Sequence, residues 1–153
     1  KRLDVEGVRC LAANLLPGAS PFKGDVFDRI LLDAPCSGTG VLRRHPEGKW
    51  KKDMETVRKL ASIQLELLLA AEDTLREGGR MLYTTCSILH EENEELIDRY
   101  LSTSPRMRRL DMRKDHPEAP PSVFTGRGEL RLWPHIHDCD GFFACLLEKK
   151  PPG

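Results

Sequence analysis

None of the five cysteines, Cys10, Cys36, Cys86, Cys139 and Cys145, forms a Cys-x-x-Cys pair. A zinc ribbon needs such pairs and is disfavoured. The odd count, with no secretory leader pattern, points to free thiols in a reducing, cytoplasmic setting. No apolar run approaches the ~20 residues of a membrane helix. Net charge is missing as well, 24 basic residues standing against 24 acidic, so only local clusters can argue for a polyanionic partner. There is no internal repeat and no low-complexity segment. No glycine-rich strand-to-helix turn precedes Val8. The chain opens at Lys1 rather than Met and reads as a piece of a longer protein. At 153 residues it holds one domain at most. Its 39% apolar content is enough for a real core.

What is present alternates strands and helices. Val8 to Ala12 is a short apolar run, expected to be a strand. Asn14 to Gly24 carries Pro17-Gly18 and Pro21 and is expected to be loop. Phe27 to Asp33 is a strand, and its consecutive Ile30-Leu31-Leu32 suits burial on both faces. Ala34 to Lys52 is a long basic loop. Asp53 is an N-cap for the longest helix, with Met54, Val57, Leu60, Ile63 (or Gln64), Leu67, Leu68, Ala71 and Leu75 at helical spacing. Gly78-Gly79 is read as its C-terminal stop. Met81 to Thr85 is the next strand. Glu91 to Leu101 is a second helix, its first turns crowded with Glu91, Glu92, Glu94 and Glu95, where the helix dipole favours acids. Met107 to Met112 is a further strand candidate. Glu129 to Trp133 and Phe142 to Glu148 form a closing antiparallel pair, with a turn at Asp140-Gly141. The order is that of an α/β fold. Cys10 and Cys145 lie inside apolar runs and are read as small buried hydrophobes.

Two strands finish at a thiol. One continues Asp33-Ala34-Pro35-Cys36-Ser37-Gly38-Thr39-Gly40; the other runs Leu82-Tyr83-Thr84-Thr85-Cys86-Ser87. In a parallel sheet both thiols would stand at the carboxyl rim, where open α/β sheets bind ligands. Gly38 and Gly40 would let backbone approach a ligand closely, and Thr84, Thr85 and Ser87 put hydroxyls beside Cys86. Taken alone, these features also suit Asp33 as a loop cap and Cys86 as a buried thiol.

The motifs together are more specific. Asp33-Ala34-Pro35-Cys36-Ser37-Gly38, then Arg43-Arg44-His45-Pro46 and Lys49-Trp50, then Thr85-Cys86-Ser87 with Glu91-Glu92-Asn93, resemble the Sun (RsmB-type) family of RNA cytosine-5 methyltransferases. Trp133-Pro134-His135 and Asp140-Gly141-Phe142-Phe143 resemble its C-terminal signature. The resemblance covers nearly the whole chain, with its motifs in order. It implies a partial doubly wound, Rossmann-like S-adenosylmethionine-dependent methyltransferase fold from which the N-terminal cofactor-loop strands are absent. Residues 1–150 would be the C-terminal portion of the catalytic domain and 151–153 a tail. The donor would be S-adenosylmethionine and the acceptor a cytosine in structured, ribosomal RNA. By position, Cys86 resembles the nucleophile, Cys36 the second cysteine linked to product release, and Asp33 the carboxylate near cofactor and base. Asn14 stands where the family usually has an adenine-contacting Asp; it keeps an acceptor oxygen without the charge. With Asp33 and Pro35 it completes the implied cofactor contacts.

The cluster Arg43, Arg44, His45, Lys49, Lys51 and Lys52 follows the Cys36 loop and is assigned to RNA phosphates. Trp50 suits either stacking on an unpaired base or packing on the long helix. Arg106, Arg108, Arg109, Arg113 and Lys114 are read as a solvated surface. His135 and His137 match a metal pair in spacing alone and no metal site is expected. Two expectations follow from the missing front. The piece binds S-adenosylmethionine weakly or not at all, and the strand starting at Phe27 has an unpaired edge, a liability for self-association. Two other readings stay open: a methyltransferase-like module that only docks RNA or a partner, and a thiol redox protein using Cys36 and Cys86.

Overall fold

The computed structural model describes residues 6–15, 21–44, 46 and 53–151. Its centre is one five-stranded mixed sheet. In chain order the elements are β1 (Phe27–Asp33), α1 (Met54–Thr74), β2 (Leu75–Thr85), α2 (Glu94–Thr103), β3 (Met107–Arg109), β4 (Leu130–Leu132), α3 (Pro134–His137) and β5 (Phe142–Lys149). The strand order is β1-β2-β5-β3, with β4 also pairing with β5. β1 and β2 are parallel, linked through α1, which is the crossover such a pair requires. β5 runs antiparallel to β2, β3 and β4. No helix among the described residues is long and apolar enough to cross a membrane.

α1 starts where its cap predicts. The Asp53 side chain accepts from the Thr56 backbone N–H at 2.7 Å, and that bond lowers the Asp53 pKa. The buried stripe runs Val57, Ala61, Gln64, Leu68. Gln64, and not Ile63, occupies the core side: Ile63 is exposed while Gln64 is fully buried. The helix stops at Thr74, before Gly78-Gly79. Its last carbonyls are capped from elsewhere. Lys149 Nζ donates to the carbonyls of Glu72 (3.0 Å) and Leu75 (2.7 Å) and to Asp25 Oδ1 (2.9 Å), a cation at the negative end of the helix. The glycine pair lies instead in an irregularity of β2, where the register steps from Phe27↔Leu75 to Arg29↔Arg80. Gly78 is left-handed there, at φ 69°.

Leu68, Leu75, Met81, Tyr83, Leu96, Ile97, Tyr100, Phe143, Cys145 and Leu147 make the core between the sheet, α1 and α2. Cys145 is buried as its apolar run suggests, and desolvation pushes its thiol up to about 12. Three further expectations fail. Val8 to Ala12 is not a strand; Val8 and Leu11 are exposed and no described strand lies beside them. Cys10, in that run, is exposed for the same reason. Among the described residues β1 is covered on one face only, since Leu32 is buried while Leu31 is 68% exposed. β1 is also the terminal strand of the sheet among the described residues.

Candidate active site

The parallel register sets Asp33 opposite Thr84, and the ladder continues with the Ala34 N–H donating to the Thr84 carbonyl at 3.0 Å. Both strands leave the sheet at the same rim, and Cys36 follows Asp33 by three residues while Cys86 directly follows Thr85. Cys36 Sγ and Cys86 Sγ stand 3.2 Å apart, at hydrogen-bond range, with both residues half-buried. This contact raises the Cys36 pKa well above the ordinary thiol range. The hydrogen bond to Cys86 is the main cause and desolvation the second. When two thiols share one hydrogen bond, the first proton leaves more readily than the second, and the two steps belong to the pair.

Asp33 is exposed at this rim, and its Oδ1 accepts from Thr84 Oγ1 at 3.2 Å. Pro35 is exposed too, while its carbonyl accepts from Gln64 Nε2 at 2.8 Å. Asn14 is exposed, outside regular structure. These exposed amide and carboxylate acceptors fit a ligand that carries N–H and O–H donors.

The hydroxyls near Cys86 serve the scaffold. Thr85 Oγ1 donates to Asn93 Oδ1 at 2.6 Å, and Asn93 Nδ2 donates to the Ser87 carbonyl at 2.9 Å, so Asn93 grips the loop on both sides of the thiol. Ser87 Oγ donates to Glu92 Oε2 at 2.5 Å. Gly40 contacts backbone where a ligand contact was expected. Its N–H donates to the Cys86 carbonyl (2.9 Å) and its carbonyl accepts from the Gly141 N–H (2.8 Å). A Cβ on Gly40 would lie 2.2 Å from the Gly141 oxygen, so only glycine fits. Three loops, those of Cys36, Cys86 and Gly141, are thus joined at one point. Arg131 holds the same region from below, donating to the Ile88 carbonyl at 2.7 Å and pairing with Glu94. Its guanidinium lies 4.2 Å from the centre of the Trp133 ring.

Arg43 and Arg44 lie beyond the Cys36 loop, both more than half exposed. They face the turn that carries Gly141: Arg44 Nε is 2.8 Å from Asp140, and Arg43 is 3.7 Å from Asp138 and 4.0 Å from Asp140. The arginines are therefore charge-paired, a fact their sequence neighbourhood hides. His45, Lys49, Trp50, Lys51 and Lys52 fall outside the described residues. Arg106, Arg108 and Arg113 of the second basic group are exposed and salt-bridged to Glu77, Glu148 and Asp111, as on a solvated face, but Arg109 is not: its side chain is 17% exposed and pairs with Asp98 and with the fully buried Glu129. His137 Nδ1 accepts from the Trp133 N–H at 2.9 Å, which orients it within its own helical turn.

Sequence reasoning quoted Glu92 within the Glu91-Glu92-Asn93 motif but gave it no role; it sits fully buried beneath both cysteine loops. It stands in an acid-rich stretch that reads as a solvated helix start, and nothing in its spacing separates it from Glu91. One trace was available: each thiol is followed by a serine, Ser37 and Ser87, and both serines bond Glu92.

Comparison with known proteins agrees with this geometry. The family model described as 16S rRNA methyltransferase RsmB/F matches residues 1–148. The Bacillus subtilis (strain 168) protein named "Probable ribosomal RNA small subunit methyltransferase B" is 39% identical over 130 residues, which is 84% of this chain and 29% of that protein. The ribosomal RNA small subunit methyltransferase B of Yersinia pseudotuberculosis is 42% identical over 124 residues, 81% of this chain and 27% of the relative. Among solved structures, NSun6 from Pyrococcus horikoshii with SFG superposes with a TM-score of 0.63 at 29% identity, over 80% of this chain and 30% of that one. The chain thus spans less than a third of the length of these relatives. The parallel β1–β2 pair with its two rim thiols is part of a Rossmann-like methyltransferase fold, and the chain belongs to the RsmB/F family of 16S rRNA methyltransferases.

Proposed function

We propose that this chain supplies the covalent machinery of an RNA cytosine-5 methyltransferase, with Cys86 as nucleophile and Cys36 and Asp33 as its partners. The observation that carries this reading is the 3.2 Å approach of two thiols at the ends of adjacent parallel strands. Carbon 5 of cytosine is too weak a nucleophile to be methylated unaided. Addition of a thiolate to carbon 6 moves electron density onto carbon 5, one hard step becoming two easier ones. A thiol 3.2 Å away can hydrogen-bond a neighbouring thiolate and favour a single charge at this pair, and the family motif assigns that thiolate to Cys86. Asp33, exposed at the same rim, suits a proton-sharing contact with the nitrogen edge of the base. After transfer, loss of the carbon-5 proton and cleavage of the carbon 6–sulfur bond return Cys86 to its thiolate, with Cys36 beside it to assist release.

S-adenosylmethionine, when bound, supplies the methyl group as an electrophile; SFG in the NSun6 neighbour is an analogue of it. Asn14, Asp33 and Pro35 are the residues of this chain assigned to hold it. Arg43, Arg44, His45, Lys49, Lys51 and Lys52 are assigned to the RNA backbone, where contacts position without reading sequence. For Arg43 and Arg44 this means exchanging Asp138 and Asp140 for phosphate. A flipped or single-stranded cytosine is required, because attack is perpendicular to the ring.

The test uses the full-length parent and cytosine-containing RNA. Cys36→Ala is expected to accumulate a covalent protein–RNA adduct on a denaturing gel, and Cys86→Ala to form none. Reversed behaviour would overturn the assignment of nucleophile.

A further inference from the structure

We propose that Glu92 is the positioning residue for both thiols, one buried carboxylate that sets the Cys36 loop and the Cys86 loop at their working separation. For its catalytic consequence the proposal rests on the reading above; its geometric content does not.

Glu92 ends a short 3-10 turn (His90–Glu92) ahead of α2 and is 0% exposed. Its Oε1 accepts from the Ser37 N–H at 2.7 Å and from Gln64 Nε2 at 3.1 Å. Its Oε2 accepts from Ser37 Oγ and from Ser87 Oγ, each at 2.5 Å. Its backbone carbonyl accepts from the Tyr83 hydroxyl at 2.8 Å. Ser37 directly follows Cys36 and Ser87 directly follows Cys86. The two oxygens therefore hold the residue next to each sulfur, and Gln64 ties the assembly to α1.

A buried carboxylate is an expensive way to fill a core. No lysine or arginine among the described residues pairs with it, and its hydration is replaced by neutral donors alone. An apolar side chain would fill the volume at lower cost. What it would not do is bind two loops from different strands at once. Thr39 Oγ1, 3.1 Å from Ser87 Oγ and accepting from the Ile88 N–H at 3.1 Å, is a second, weaker tie between the same loops.

Disulfide closure measures the spacing of the sulfurs without any methyl transfer. Diamide takes two electrons and two protons from the thiols, forming one S–S bond while its N=N bond is reduced to a hydrazine. Peptide mapping then isolates the 36–86 bond from other cysteines. Glu92→Ala is expected to slow that closure by at least ~10-fold, given that ~1 Å of misplacement can cost ~100-fold in rate. Glu92→Gln is expected to stay near wild type. Its oxygen can serve Ser37 N–H and Gln64, and its amide can donate to the two hydroxyls, which rotate to accept. Ser37→Ala and Ser87→Ala each cut one tie and should fall between. A folded Glu92→Ala with unchanged closure overturns the proposal, as does a Glu92→Gln as slow as the alanine variant. If Glu92→Ala does not fold, unchanged closure in both serine variants overturns it. In the full-length parent, Glu92→Ala should lower kcat with the KM for RNA held, and Glu92→Gln should restore kcat. Absence of any RNA adduct even with Cys36→Ala would remove the cytosine reading and leave the closure result standing.

Discussion

Gly40→Ala isolates the junction of the three loops. Gly40 does not have a positive φ, so alanine is allowed by its backbone, and the effect is one of space. The added methyl would meet the Gly141 oxygen at 2.2 Å, the Gly141 carbonyl carbon at 2.7 Å and the Cys86 oxygen at 2.8 Å. All three are backbone atoms, so no rotamer change relieves the clash. Ordinary carbon–oxygen contact needs roughly 1 Å more, and that displacement breaks the 2.8 and 2.9 Å hydrogen bonds that join Gly40 to Gly141 and Cys86. Two lost bonds at ~1 kcal/mol each, plus ~1 kcal/mol for a buried group left unpaired, give ~3 kcal/mol. Reduced entropy of the unfolded chain returns ~0.5 kcal/mol. For a chain of this length the net ~2.5 kcal/mol lowers Tm by about 5–10 °C. Thermal melting followed by circular dichroism measures it. A Tm within about 2 °C of wild type would show that the junction yields freely, and the reasoning would fail.

Three other outcomes are expected. Lys149→Met removes the ammonium donor from the Glu72 and Leu75 carbonyls, leaving Glu72 with the Leu75 N–H alone, and should cost about 2 kcal/mol by urea unfolding; an unchanged midpoint would show that the α1 terminus does not need this cation. Asp98 is held below the usual carboxylate range, first by Arg127 and then by Arg109. A depressed folded pKa gives stability that is present above the unfolded value near pH 4 and lost as pH falls through the folded one. Urea midpoints should therefore drop below about pH 4, and Asp98→Asn should flatten that drop; equal acid sensitivity in both would refute the link. Self-association through the open side of β1 should make light scattering concentration-dependent, and Leu31→Lys should suppress it, whereas a monodisperse monomer at high concentration would count against it.

The parts of the fold visible in the sequence were those with a local cause. Asp53 and the 3.6-residue spacing locate α1, and the apolar runs at Ile30 and Leu82 locate the parallel pair. Two strands that each end at a thiol were enough to expect the sulfurs at one rim. The errors came where a distant partner decided the outcome. Gly78-Gly79 looked like a helix stop, but Lys149, far along the chain, caps α1 four residues earlier. Val8 to Ala12 has strand character, yet no described strand receives it. Arg43 and Arg44 read as free basic groups because Asp138 and Asp140 lie almost a hundred residues away. The role of Glu92 was hidden for the same reason: it depends on Ser37 and Gln64, and only Ser87 is a near neighbour.

β5 has a consequence for how the molecule comes into being. It is last of the strands in chain order, yet it lies inside the sheet, against β2 on one side and β3 and β4 on the other. During synthesis every other strand leaves the ribosome before its keystone exists. The nascent chain must wait with open ladders and uncovered core residues, the interval in which chaperones are most needed. Gly141, one residue ahead of β5, joins the Cys36 loop at the same late moment. The Gly40–Gly141 junction is therefore the last of the described ties around the sulfurs to form, and a copy of this region that stopped short of Gly141 would lack it.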